Sequence, residues 1–367
     1  MTTSTHDTAS SQIPTDMSGV YLPGDSTTQR RELAVPRPGA GQVLLRVGAS
    51  GICGSDIGYI YRGYKTHKGI DGPAYLGVVS GHEPSGQVVA VGPGCRRFAE
   101  GDRVIVYHIA GCGLCDNCRR GYLISCSEPS RASYGWQRDG GNAPYLLAEE
   151  RTLVPLPDKL SYVDGALIAC GFGTAYEGLR RIQVNGEGEL LVVGLGPVGL
   201  AAAMIGRGMG ARRVVGVERS PERRDWAVRQ GLVDDVVAAD DSTVRALDEL
   251  SDGRGFAFTI DASGSAPGRS TAIEAAAEWG HVSLVGEGGV LETEVSDTLL
   301  HKQLTLHASW VTSLPAMAEL AQNLVAWGVR PEDVVSDRFT LEESDEAYRL
   351  AAGVSRGKVV FDLSRKR

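Results

Sequence analysis

One stretch constrains the fold more than any other: Leu191-Val192-Val193-Gly194-Leu195-Gly196-Pro197-Val198-Gly199, an apolar strand that enters a Gly-x-Gly-x-x-Gly turn and leaves it as a helix. Each glycine has its own reason. Gly194 permits the tight turn, Gly196 lets the backbone approach a pyrophosphate, and Gly199 lets helix pack on strand. The opening turn of the helix begins with Pro197, which has no N–H of its own and is suited to the first helical position, and from Val198 onward it offers free N–H groups and a partial positive charge to phosphates. The next strand, Val214-Val215-Gly216-Val217-Glu218, ends in a carboxylate suited to accept hydrogen bonds from ribose hydroxyls and to repel a 2′-phosphate. NAD(H) is therefore expected over NADP(H), with Arg219 and Arg223 tempering the preference. The competing reading is a glycine-rich turn in an α/β domain that binds nothing.

Around this turn the chain has a regular rhythm. Strands at Leu190 to Val193, Val214 to Val217, Phe258 to Asp261 and His281 to Val285 alternate with helices at Val198 to Met209 and Arg223 to Gln230. Such alternation implies βαβ units and a doubly wound parallel sheet. Before it the texture is different: short β-type runs such as Val43 to Val47, Gln87 to Val91 and Arg103 to Tyr107 are broken by Gly and Pro. After about Leu306 the rhythm stops, and a helix at Ala316 to Trp327 leads to a terminal strand at Lys358 to Phe361. A length of 367 residues exceeds what one core usually serves. The expected division is a tail over 1–18 (Ser- and Thr-rich, without the apolar core of a signal peptide), a β-rich domain over 19–173, a nucleotide domain over 174–310, and a return to the first domain over 311–367. A net charge of −8 argues against a nucleic-acid surface, which needs clustered Lys and Arg. No apolar run approaches the roughly 20 residues of a membrane span. A cytoplasmic protein acting on a small molecule is the expectation.

Of the seven cysteines, four lie in one run: Cys112, Cys115, Cys118 and Cys126. In a reducing compartment such a cluster reads as a metal site before it reads as disulfides. Zinc neutralises four thiolates in a tetrahedral shell, and four protein ligands leave no open position, so that site would be structural. An iron–sulfur cluster or a redox disulfide pair are the alternatives. A dispersed set, Cys53, His82, Glu83 and Cys170, has a bland explanation residue by residue, since buried Cys is usually a small hydrophobe. Taken together, two thiolates and one imidazole leave one position open, as a catalytic zinc requires.

The motifs Gly-Ile-Cys-Gly-Ser-Asp at 51–56, Gly-His-Glu at 81–83, the four-cysteine lobe over 108–128, Gly-Leu-Gly-Pro-Val-Gly at 194–199 and Ile-Asp-Ala-Ser-Gly at 260–264 together resemble the zinc-containing medium-chain dehydrogenases, the alcohol, sorbitol and threonine dehydrogenase family. The resemblance runs from about Gly19 to the C-terminus. It implies a GroES-like catalytic domain beside a Rossmann-type α/β domain, two zinc ions per chain, and a homodimer or homotetramer. It also implies metal ligation by Cys53, His82 and Cys170, catalytic parts for Ser55 and Glu83, and Thr174 and Val198 beside the nicotinamide. Lys358 matches a position where a basic residue reaches the cofactor pyrophosphate. His108 and Trp136 fall on segments that line the substrate pocket. Many relatives place a histidine five residues after the first cysteine to carry a proton to solvent. This chain has Gly58 there, so water, the cofactor ribose or His108 must finish the relay. The loop from Tyr59 to Tyr75, with Tyr61, Arg62, Tyr64, Lys65, His67 and Lys68, either walls a polar pocket or is a solvated surface loop. A donor-rich wall would suit a secondary alcohol on a polyol, sugar or cyclitol. The rival readings are a reductase of aldehydes or activated C=C bonds, a non-catalytic NAD-binding protein, and a redox switch in the cysteine lobe.

Overall fold

The computed structural model describes residues 13–66, 73–353 and 355–364. His67 and Lys68 of the polar loop, and residues 1–12 of the expected tail, lie outside them. The chain opens with an antiparallel hairpin of β1 (Asp16–Tyr21) and β2 (Gln29–Ala34). Ordered structure thus reaches back into the stretch expected as tail. The cause is local: Met17 and Val20, three residues apart, face opposite sides of β1 and bury in two different clusters, a pattern without the period-two alternation that marks a strand in a sequence. Next come β3 (Gln42–Gly51), β4 (Glu83–Val91) and β5 (Arg103–Val106), then the small pair β6 (Ile109–Ala110) and β7 (Ala132–Ser133), which brackets the cysteine lobe, then β8 (Tyr145–Glu149) and β9 (Leu153–Pro155).

A helix α1 (Gly173–Arg181) leads to the second half of the chain. There β10 (Leu190–Val193), helix α2 (Pro197–Gly208), β11 (Val214–Glu218), helix α3 (Pro221–Arg229), β12 (Asp235–Ala238), β13 (Phe256–Asp261), β14 (Ala276–Leu284) and β15 (Thr305–Ala308) follow. Their strands form one parallel sheet in the order β12-β11-β10-β13-β14-β15. The order reverses beside β10, and ligands of such sheets sit at the carboxyl ends of the strands at that switch point. β10 is buried at every position, as expected of a strand covered on both faces.

Helix α4 (Leu314–Trp327), β16 (Val335–Phe339) and β17 (Lys358–Asp362) close the chain. β17 pairs antiparallel with β3, and β3 with β4, so the last strand completes the first sheet, whose order is β16-β17-β3-β4-β5-β9 with β8 also on β3. Val43, Leu45, Val47, Val88, Val104 and Val106 form a core on this sheet. Among the described residues no helix is long and apolar enough to cross a membrane.

Candidate metal centre and cofactor site

Two donor groups assemble from residues distant in sequence. One ligand atom from each of Cys53, His82, Glu83 and Cys170 lies within 4.8 Å of all the others, and the same holds for Cys112, Cys115, Cys118 and Cys126. In the lobe two pairs of sulfurs, Cys112 with Cys118 and Cys115 with Cys126, are each 3.9 Å apart, and all four cysteines are free of disulfides. A disulfide would need about 2.05 Å; a tetrahedron with Zn–S of about 2.3 Å has edges of about 3.8 Å. Backbone N–H groups of Leu114 and Cys115 point at Cys112 Sγ, and that of Cys112 at Cys126 Sγ, all at 3.3 Å. Those contacts suit sulfurs carrying negative charge. The lobe therefore fits a closed four-thiolate metal site.

The other group is built by strand register. β3 ends at Gly51, directly opposite Glu83 at the start of β4, with His82 one residue before it. Cys53 follows β3 at the start of a short helical stretch, Gly54–Asp56, and Cys170 comes from the helical turn Ile168–Phe172 just ahead of α1. Asp56, fully buried, organises the site. Its Oδ1 accepts from His82 Nδ1 at 2.7 Å and its Oδ2 from the Cys53 backbone N–H at 3.2 Å. That bond fixes the His82 tautomer and leaves Nε2 for a metal. Burial opposes charge on His82, but the Asp56 carboxylate and the Cys53 sulfur together hold its pKa well above the usual histidine value. Facing the Cys170 thiol, Cys53 is held well below the usual thiol range and Cys170 correspondingly above it.

Lys358 does not behave as the resemblance implies. It is buried, and its Nζ pairs with Glu83 Oε2 at 2.6 Å. The pairing of β17 with β3 carries it there, and Gly51 leaves the space, since a Cβ on Gly51 would overlap Glu83 Oε2 and touch Lys358 Cε at 3.1 Å. Burial lifts the Glu83 carboxyl to about 7 against the pull of that ammonium. Glu83 Oε1 is buried without a hydrogen bond, an orphan atom beside two sulfurs and an imidazole that fits a cation in their midst.

His108 stands over this group, its ring 5.3 Å from that of His82. Its Nδ1 donates to the Ala169 carbonyl at 3.0 Å, and burial together with His82 drives its pKa down to about 3. It is a neutral, fixed side chain. Ser55 is half-buried two residues from Cys53, and a Cβ on Gly58 would meet nothing within 4 Å. Trp136 is buried against His82 and Tyr59. The expected polar wall is largely spent on structure. Tyr61 stacks on Tyr348, Tyr64 donates to the Leu22 carbonyl, and Arg62 donates to the Ala352 carbonyl.

At the switch point the three glycines of the turn meet different surroundings. Gly194 has φ +90°, and a Cβ on Gly199 would overlap the Gly194 carbonyl. Gly196 caps α2, and a Cβ there would meet nothing within 4 Å: the turn offers an open cradle at a helix N-terminus, with Pro197 in its first turn. Glu218 is buried, its two oxygens accepting from the backbone N–H groups of Leu195 and Ser220, each at 2.9 Å. Each oxygen keeps a second lone pair for a further donor. Arg223, expected beside the adenosine, spends its Nε on the Ser355 carbonyl at 2.8 Å. Thr174 lies one helical turn beyond Cys170, and both it and Val198 are half-buried. Sequence reasoning missed Asp56 as a site residue, although its spacing three residues after Cys53 in the quoted motif was the available signal.

Residues 39–158 match the family model described as alcohol dehydrogenase GroES-like domain, and residues 197–327 that described as zinc-binding dehydrogenase. The chain is 51% identical to an uncharacterised zinc-type alcohol dehydrogenase-like protein of Escherichia coli (strain K12), over 95% of this chain and 99% of that protein. It is 30% identical to L-threonine 3-dehydrogenase of Deinococcus deserti, over 90% and 94%. Alcohol dehydrogenase TADH from Thermus sp. ATN1 superimposes with a TM-score of 0.84 at 29% identity, over 94% of this chain and 99% of that one.

Proposed function

The chain belongs to the zinc-containing alcohol dehydrogenase family of medium-chain dehydrogenases, and from that premise we propose that it moves hydride between NAD(H) and a secondary alcohol or its ketone, on a polyol, sugar or cyclitol. The observation that carries the reading is the group of Cys53, His82, Glu83 and Cys170 donors within 4.8 Å, with Asp56 fixed behind His82. Bound there, zinc supplies a Lewis acid that lowers the pKa of an alcohol hydroxyl, and NAD⁺ supplies a hydride acceptor. Cys53, His82 and Cys170 hold the metal and leave one side to substrate; Cys112, Cys115, Cys118 and Cys126 hold a second, structural ion. Lys358 balances the Glu83 carboxylate within the site and so keeps a buried charge beside the donors. The open turn from Gly194 to Gly199 takes the pyrophosphate, Glu218 the ribose hydroxyls, and Thr174 and Val198 flank the nicotinamide. Ser55 takes the substrate proton. His108, buried and committed to Ala169, is not its exit; the space over Gly58 supports water as the carrier. The edge strand β15, exposed at Thr305 and Ala308, supports assembly as a homodimer or homotetramer through the nucleotide sheet.

Zinc analysis and cofactor reduction test the reading together. Purified protein is expected to hold two zinc ions per chain and to reduce NAD⁺ in preference to NADP⁺ with sorbitol, inositol or glycerol, and more weakly with propan-2-ol. Absence of turnover across such a panel in the zinc-loaded protein would sink it.

A further inference from the structure

Trp136, expected to line the pocket, is also wired to the metal group. Its Nε1–H donates at 2.9 Å to Asp56 Oδ1, the same oxygen that accepts from His82 Nδ1 at 2.7 Å. The other oxygen of that carboxylate is taken by the Cys53 backbone N–H. Its indole also meets the His82 ring edge-on, with centroids 5.9 Å apart and planes at 89°. The backbone leaves the indole little freedom. Leu76 N–H donates to the Trp136 carbonyl at 2.8 Å, and Gly135 N–H to the Arg138 carbonyl at 2.7 Å. Gly135, at φ +76°, and Gly140 both lie flat on Gly81, the residue before His82: a Cβ on either would run into the Gly81 backbone. The turn carrying the indole and the segment that carries the imidazole into β4 are thus packed backbone to backbone. A carboxylate rotates easily about its terminal torsion, which has broad and shallow wells. Two donors on one oxygen, approaching from different residues, remove that freedom.

We propose that Trp136 is a positioning residue for the metal ligand His82, its indole N–H pinning the Asp56 carboxylate so that the imidazole presents Nε2 to Cys53 and Cys170. The inference rests on the reading of those three residues as zinc ligands. Partners behind a metal-bound histidine typically govern metal affinity by 10- to 100-fold, so Trp136 acts on zinc retention before any substrate is present.

The test is zinc competition with a chromogenic chelator on the full-length protein, without substrate or cofactor. Trp136→Phe keeps the ring and its edge contact and removes only the N–H. One zinc is expected to bind about tenfold more weakly, while the zinc of the cysteine lobe, an internal reference, keeps its wild-type affinity. Asp56→Ala is expected to weaken the same ion, and adding Trp136→Phe to it should cost nothing more, because partners in one network are not additive. Competition curves of Trp136→Phe that superimpose on wild type overturn the proposal, as does an undiminished effect in the Asp56→Ala background. Should Trp136→Phe not fold, indole ¹⁵N spectra of the wild type and of Cys170→Ala decide the point. One of the five tryptophan N–H signals is expected to move when the zinc beside His82 is lost, and five unmoved signals overturn the proposal. A wild-type protein holding a single zinc, in the lobe, removes the ligand reading itself and this inference with it.

Discussion

At the scale of single residues, Cys170 decides whether the dispersed donors form a site. It is half-buried facing Cys53, and no other described cysteine joins that group of donors. Cys170→Ala is expected to reduce zinc from two to one per chain by elemental analysis and to abolish turnover, with the melting temperature little changed. A metal content equal to wild type would remove Cys170 from the site. Cys53, His82 and Glu83 were legible in the sequence because their side-chain chemistry advertises them. Asp56 and Lys358 were less so. An aspartate becomes an orienting group only when a histidine from another strand turns its Nδ1 to it, and Lys358 was legible as basic but not as buried. Its destination depends on which strand lies beside β3, and the sequence around it carries no mark of that neighbour.

At the scale of elements, the catalytic geometry is a matter of three strands in register. β17, β3 and β4 bring Lys358, Gly51 and Glu83 together, and the side chain missing at Gly51 makes room for the ion pair. Gly51→Ala is therefore expected to force Glu83 and Lys358 apart and to destabilise the fold by about 3 kcal/mol, the scale of breaking a buried pair. Denaturant unfolding measures this, and a midpoint equal to wild type would show that the pair yields without cost. Strand and helix positions were the most readable part of the chain. The expected strand at Leu190 to Val193 is β10 itself, and the expected helix at Val198 to Met209 differs from α2 by one residue at each end. The elements that escaped were those with weak alternation, β1 above all, and the polar segment near Tyr61, whose groups serve carbonyls and a tyrosine stack. Polarity in a sequence says that a group needs a partner, not which one.

At the scale of the whole molecule, the cysteine lobe braces the junction of the two halves. Tyr122 donates to Glu177 on α1 at 2.6 Å, and the Gly121 carbonyl accepts from Leu314 at the start of α4, 2.9 Å away. Cys112→Ser is expected to release the lobe zinc and to lower the melting temperature by about 5 °C or more, since each kcal/mol is worth roughly 2–4 °C in a domain of this size. Calorimetry would report it, and an unchanged transition would argue against a metal in the lobe. The return of β17 to the first sheet has a further consequence, in the order of synthesis. All four donors of the dispersed site, the last of them Cys170, leave the ribosome well before Lys358, the counter-ion of Glu83. Until β17 emerges, the nascent domain carries an unbalanced carboxylate beside two thiols, and its central sheet lacks a strand. The centre is finished only once β17 has been made, so a chain cut short before Lys358 has every metal ligand and no completed site.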